Sequence, residues 1–260
     1  MICKEIIAGI EKNYPPEYAL EWDNIGLLAG RSDKEVKKVY IALEVTDEVV
    51  EEAAAAGADM LITHHPLIFS SLKKVNDEHF ISNRIVKLLQ HDISYYAMHT
   101  NYDVLRMGDL AGEIMGLEHA GILEVTRIGE GPERGIGCIA DLEHSITLEA
   151  CCKRVKKDFS LEAVRVFGNL EDPVRRIAIS PGSGKHMIEP AIQKNADVLI
   201  TGDIDHHEGI DAVARGVRII DAGHYGIEYI FMDDIRIYIE RKYPELEVTA
   251  SAVRHPFRVI

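Results

Sequence analysis

Short, continuous apolar runs recur along the chain, each bounded by charged or turn-forming residues. They are KKVYIAL at 37–43, ADMLIT at 58–63, HDISYYAMH at 91–99, RRIAISP at 175–181, ADVLIT at 196–201 and GVRIIDAGH at 216–224. Runs of this length, rich in Val, Ile and Leu, predict strands buried on both faces. Between them, VTDEVVEEAAAAG and GSGKHMIEPAIQKN predict helices with acidic residues near the first turn. Strands joined by helical crossovers give an α/β fold with mainly parallel sheets.

The runs also form an internal repeat. Residues 37–43 fall on 175–181 and residues 58–63 fall on 196–201 in one ungapped register. When some residues are dropped from the first half, 91–99 falls on 216–224, which places His99 on His224 and Asp103 on Glu228. The expectation is two similar α/β units, 1–120 and 121–260, with the ends of equivalent strands facing a shared cleft, the usual ligand position in open α/β sheets. Outside the repeat, MICKEIIAGIEKNY predicts an amphipathic first helix and DLAGEIMGL another helix. ILEVTRIGE and GIGCIADL predict paired strands around the turn-rich EGPERG. SITLEACCKRVKKDF predicts a helix capped by Ser145 or Thr147, and LEAVRVFGN a further strand.

The candidate chemistry sits just past the apolar runs. His64 and His65 follow DMLIT, and two His-x₃-acid pairs, His99 with Asp103 and His224 with Glu228, follow the third run of each half. Imidazole nitrogen and carboxylate oxygen are ligands for divalent zinc, iron, manganese and nickel, and six such groups suggest two metals. Neighbouring side chains on a regular strand point to opposite faces, but Pro66 ends the strand, so both imidazoles can turn into one cavity. Four-residue spacing puts histidine and acid on one face where the segment opens a helix. Gly223 and Gly226 allow a tight backbone path there. In TGDIDHHEG, Asp203 occupies the repeat position of His65; His206, His207 and Glu208 are expected to line the pocket rather than bind metal. GSGK at 182–185 fails as a phosphate loop, because Ile179 and His186 stand where glycine and Ser or Thr are needed. Amides near Gly182 and Gly184 remain candidates for holding an anion.

Composition narrows the function classes. With 260 residues and a net charge of −14, the chain has ample core, and broad attraction to nucleic acid or anionic lipid is disfavoured. No apolar run reaches the roughly 20 residues of a membrane span. Cys3, Cys138, Cys151 and Cys152 form no CxxC pair and are expected as reduced apolar residues of a cytoplasmic protein.

EWDNIGLLAG at 21–30, ITHHPLIF at 62–69, MHTNYD at 98–103, ADVLITGD at 196–203 and DAGHYGIE at 221–228 together resemble the Nif-three-like family, the GTP cyclohydrolase I type 2 homologues. The likeness covers essentially the whole chain, in a short form without the central insertion of some relatives. It implies two α/β domains, a dinuclear centre in the cleft between them, and a toroidal homohexamer. Carried over by motif, His64, His65, Asp103, His224 and Glu228 match the metal ligands, with Glu228 bridging and His99 a possible acid/base or supporting group. Tyr102 departs from the leucine common in relatives, and Gly226-Ile227 from their Ala-Thr. The function expected is a dinuclear metal-dependent hydrolase acting on a small polar or nucleotide-like substrate through a metal-activated water. The alternatives are a non-enzymatic metal-binding scaffold or regulator with a protein or nucleic-acid partner, and metal storage or delivery.

Overall fold

A computed structural model describes residues 1–127 and 132–260. Its strands are β1 Gly26–Ala29, β2 Lys38–Ala42, β3 Met60–Thr63, β4 Ser94–Ala97, β5 Gly121–Arg127, β6 Arg134–Thr147, β7 Arg165–Phe167, β8 Pro173–Ser183, β9 Val198–Gly202, β10 Arg218–Asp221 and β11 Glu247–Ala250. The α-helices are α1 Cys3–Asn13, α2 Asp47–Ala55, α3 Phe80–Gln90, α4 Thr100–Tyr102, α5 Gly108–Ile114, α6 Leu148–Asp158, α7 Ile188–Gln193, α8 His206–Ala214, α9 His224–Glu228 and α10 Ile230–Lys242. A π-helical turn over Asp103–Met107 joins α4 to α5. Among the described residues no helix is long and apolar enough to cross a membrane.

The chain divides into two compact units, Met1–Tyr102 with Phe231–Val253, and Asp103–Ile230 with Arg254–Ile260. This division differs from the contiguous 1–120 and 121–260 expected from the repeat. Two contacts cause the difference. Strand β11 pairs in parallel with β2, which returns the C-terminal segment to the first sheet. Helix α5 lies so close to β6 that a Cβ on Gly108 would come within 2.7 Å of the Gly137 backbone, which ties the segment after Tyr102 to the second sheet.

The first unit holds a sheet of order β1-β4-β3-β2-β11, parallel except for the antiparallel edge strand β1. Its strands β2, β3 and β4 read as uninterrupted apolar runs because they are buried on both faces. One core layer packs Tyr40, Leu61 and Tyr95 of the sheet against Val50 and Ala53 of α2 and Ile85 and Leu88 of α3. Thr46 caps α2 by accepting from the Val49 amide.

The second unit holds a sheet of order β5-β6-β8-β9-β10-β7. Only β8-β9 and β9-β10 are parallel; β5-β6, β6-β8 and β10-β7 are antiparallel. The expectation of a mainly parallel sheet therefore fails for this unit. A short connection links β5 to β6, and only an antiparallel pair can be joined without a long crossover. The first two residues of the EGPERG turn lie outside the described residues. Thr147, one of the two candidate caps, closes α6 by accepting from the Ala150 amide. All four cysteines are buried free thiols. Burial pushes Cys138 and Cys151 up to about 12.

Both units contain the order strand, helix, strand, helix, strand with three parallel strands. Val39 pairs with Met60, as Ile177 pairs with Val198, at matching places of the sequence alignment. The third strand departs by one residue. Met60 pairs with Ser94 while Val198 pairs with Arg218, whereas the alignment sets Ser94 on Ile219. By ladder position Gly223, not His224, is the counterpart of His99. Gly223 adopts φ +76° and supplies the extra step that turns the chain into α9.

Candidate metal-binding groups

In the first unit the donors sit where β3 and β4 end. The Thr63 hydroxyl donates to the His65 carbonyl at 2.9 Å, and the Tyr95 hydroxyl accepts from the Leu67 amide at 2.8 Å. These bonds fold the chain over the end of the sheet, so adjacent His64 and His65 no longer point to opposite faces. Their ring centroids lie 4.9 Å apart, and His99 stands 5.1 Å from His64 and 5.4 Å from His65. One ring nitrogen from each of the three lies within 4.8 Å of the others. His64 is wholly buried and also packs on Phe231 at 5.1 Å.

Each imidazole is held through Nδ1 by an oxygen. His64 Nδ1 lies 3.0 Å from the Met98 carbonyl, His65 Nδ1 2.7 Å from Glu44 Oε1, and His99 Nδ1 2.9 Å from Asp23 Oδ1. An oxygen acceptor at Nδ1 places the proton there and leaves the lone pair on Nε2, the arrangement that supports metal-ligating histidines. Asp23 is itself firmly held. Its Oδ2 accepts from both the amide and the hydroxyl of Thr100, at 2.9 Å and 2.5 Å. Burial pushes its carboxyl up, but the His99 bond and charge together with the Thr100 bonds outweigh that and hold it at about 2.

In the second unit α9 opens directly on His224, and one helical turn brings Glu228 to it, with Nε2 and Oε2 2.9 Å apart. Asp203, just past β9, holds His224 Nδ1 at 2.7 Å. An imidazolium can donate to both carboxylates; with the proton on Nδ1 alone, Nε2 and Oε2 are both lone-pair donors that a bound cation can accept. Glycine makes the space. A Cβ on Gly182 would lie 2.4 Å from Glu228 Oε1 and 3.8 Å from His224 Nε2, and one on Gly202 would lie 2.4 Å from the His224 amide.

The structure thus gathers His64, His65 and His99 in one unit and His224 with Glu228 in the other. Asp103 is the first residue of the π-helical turn and, within its unit, lines a small cleft with Arg106, Gly108 and Ile122. The anion cradle expected at GSGK does not form at Gly184. Its amide donates to the Gly202 carbonyl at 3.0 Å, and a Cβ there would lie 1.8 Å from Thr201 Oγ1, so this glycine serves close packing. His206 and His207 are exposed at the start of α8, where Glu208 caps the helix and pairs with Lys185 at 3.1 Å. Sequence reasoning missed the acceptors Asp23 and Glu44 and the role of Gly182. Glu44 was within reach, because it follows β2 at the strand end where polar groups face the crevice.

The Duf34/NIF3 (NGG1p interacting factor 3) family model matches residues 1–256. The chain belongs to this family. A GTP cyclohydrolase 1 type 2 homolog of Streptococcus pneumoniae is 36% identical over 241 residues, covering 90% of this chain and 89% of the relative. A Bacillus cereus protein related to NIF3 superposes with a TM-score of 0.91 at 27% identity, covering 100% of this chain and 99% of that one. A Staphylococcus aureus hypothetical protein reaches the same TM-score at 31% identity with the same coverage. The donor set fits a divalent cation: imidazoles fixed at Nδ1 by oxygen, and a buried carboxylate beside one of them.

Proposed function

We propose that the protein is a metal-dependent hydrolase in which His64, His65, Asp103, His224 and Glu228 would hold two divalent ions, zinc, iron, manganese or nickel. The observation that carries this reading is the uniform fixing of four histidines through Nδ1, by Met98, Glu44, Asp23 and Asp203. Anchoring at Nδ1 is the arrangement that orients metal-ligating histidines and directs Nε2 at the cation. The chain also leaves the first unit between Tyr102 and Asp103 and returns to it after Ile230, so Asp103 and Glu228 stand at or near its two crossings. Two such ions supply Lewis acidity that lowers the pKa of water and polarises the substrate.

His99 carries the proton transfer. Asp23 fixes its ring and tautomer through Nδ1, which aims Nε2 at the proton to be moved. The substrate is a small polar or nucleotide-like molecule, in keeping with the relatives named as GTP cyclohydrolase 1 type 2 homologs. A homohexamer is the assembly expected, to be checked by light scattering, and the buried thiols fit a cytoplasmic protein.

Metal analysis of freshly purified protein, followed by screening that sample on nucleotides, phosphoesters and cyclic amides, tests the proposal. Alanine at His65 or at Glu228 is expected to abolish both metal retention and turnover, a loss of about three orders of magnitude or more in rate. Undiminished activity in either variant rejects the mechanism. The family description as an interacting factor favours a second reading, a metal-stabilised regulator. It predicts retained metal with no turnover anywhere on the panel.

A further inference from the structure

Beside His99 stand two large aromatic side chains that the hydrolytic chemistry does not use. Trp22 is 61% exposed and Phe69 is 55% exposed. Their ring centroids lie 5.8 Å and 6.0 Å from the His99 imidazole, and both rings stand steeply to it, at 73° and 88°. Exposed aromatics on loose loops need no explanation, but these are mounted on fixed backbone. Trp22 precedes Asp23, whose carboxylate is tied to His99 and Thr100. The Leu20 amide donates to the Thr100 hydroxyl at 2.9 Å, which fixes the same segment from its other side. Phe69 follows Ile68, whose carbonyl accepts from Asn24 Nδ2 at 2.6 Å. Asn24 therefore clamps the segment bearing Trp22 to the segment bearing Phe69, with His99 next to both rings.

From this arrangement we infer that Trp22 and Phe69 form a stacking site for a planar heteroaromatic ring, which they hold against His99. The inference rests on the hydrolase reading and narrows its substrate class to molecules carrying such a ring. Ring faces gain most from another π-face, and such stacking tolerates many ring types while the polar edge is left to meet His99. A lipid surface would meet the same apolar area but is opposed by the net charge of −14.

The chain has a single tryptophan, so its emission reports on this site alone. Metal-stripped and metal-loaded protein would be titrated with guanosine monophosphate and adenosine, with ribose 5-phosphate as the control that lacks the ring. Saturable quenching by the first two and no response to the control is expected. Phe69→Ala should weaken the quenching titration about tenfold or more. Trp22→Leu, followed by equilibrium dialysis, should weaken binding by a similar factor.

Quenching without turnover on any substrate would keep the stacking site and reject the hydrolase. Turnover of ring-free substrates with no response from Trp22 would keep the hydrolase and overturn the stacking site. An emission shift on dilution that tracks dissociation of copies, and is lost in Phe69→Ala, would make the pair an interface and also overturn it.

Discussion

The two units present metal donors in contrasting ways. The first offers three imidazoles at the ends of β3 and β4, packed ring against ring, with the His65 side chain only 11% exposed. The second offers one imidazole and one carboxylate from a single helical turn, with the His224 side chain 34% exposed and Glu228 buried. Imidazole ligands supply lone pairs to a cation but neutralise none of its charge. A buried carboxylate neutralises charge and costs desolvation free energy when no cation is near. If both sets serve one centre as proposed, the first unit contributes geometry and the second contributes charge. Metal retention should therefore be the more sensitive to damage in the second unit at Glu228, and to damage in the first unit at the anchors that orient its rings.

Gly182→Ala is the strongest test of the second unit's part after the ligands themselves. The added methyl would meet the end of the Glu228 side chain at 2.4 Å, so Glu228 must move although its chemistry is unchanged. The φ of +82° adds a backbone cost of about 1–2 kcal/mol. The expected result is a folded protein with a slightly lower melting temperature that retains metal at least about a hundredfold more weakly. Wild-type metal content in Gly182→Ala would show that the position of Glu228 does not govern loading.

The anchors come next. Removing an acceptor behind a ligating histidine weakens metal affinity by about 10–100-fold. Glu44→Ala, acting on the less exposed His65, is expected at the upper end of that range. Asp203→Ala, acting on the more exposed His224, is expected at the lower end, because water can replace part of what Asp203 does. Competition with a chelator measures both. Equal losses would mean that the depth of the imidazole does not decide how much its anchor matters.

Sequence pattern alone revealed the strand–helix–strand order of each unit, the strand-end location of His64 and His65, and the pairing of His224 with Glu228. These features are legible because burial on both faces writes an unbroken apolar run, and because one helical turn fixes the i, i+4 spacing. The rest was hidden for definite reasons. The pairing of β5 with β6 was legible in the turn-rich EGPERG between two apolar runs, whereas the antiparallel pairings of β6 with β8 and of β10 with β7 have no local signature. The return of β11 to β2 is a long-range pairing with no local signature. The one-residue difference at the third strand is hidden because superposing the two His-x₃-acid motifs carries no information on ladder position, which only the strand pairing shows. Asp23 is a single carboxylate 76 residues in sequence from the ring it holds, and only tertiary contact marks it out.

Asp23 also gives the comparison its smallest and most selective test, since it anchors a ring in the first unit without being a proposed ligand. Its carboxyl is held at about 2, below the ordinary 3.8, so the unfolded chain binds the proton more readily than the folded one. Stability from this group is therefore complete above about pH 4 and is lost as pH falls from 3.8 through about 2, by roughly 2 kcal/mol. Urea unfolding of metal-free protein from about pH 5 down to about pH 2 should show that slope, and Asp23→Asn should lack it. The Asp23 side chain is wholly buried against 54% exposure for that of Asp203, so the first unit's anchor is the one withdrawn from solvent. A slope that survives undiminished in Asp23→Asn would show that this carboxylate does not set the acid response, and that the first unit's anchor is not the rigid one.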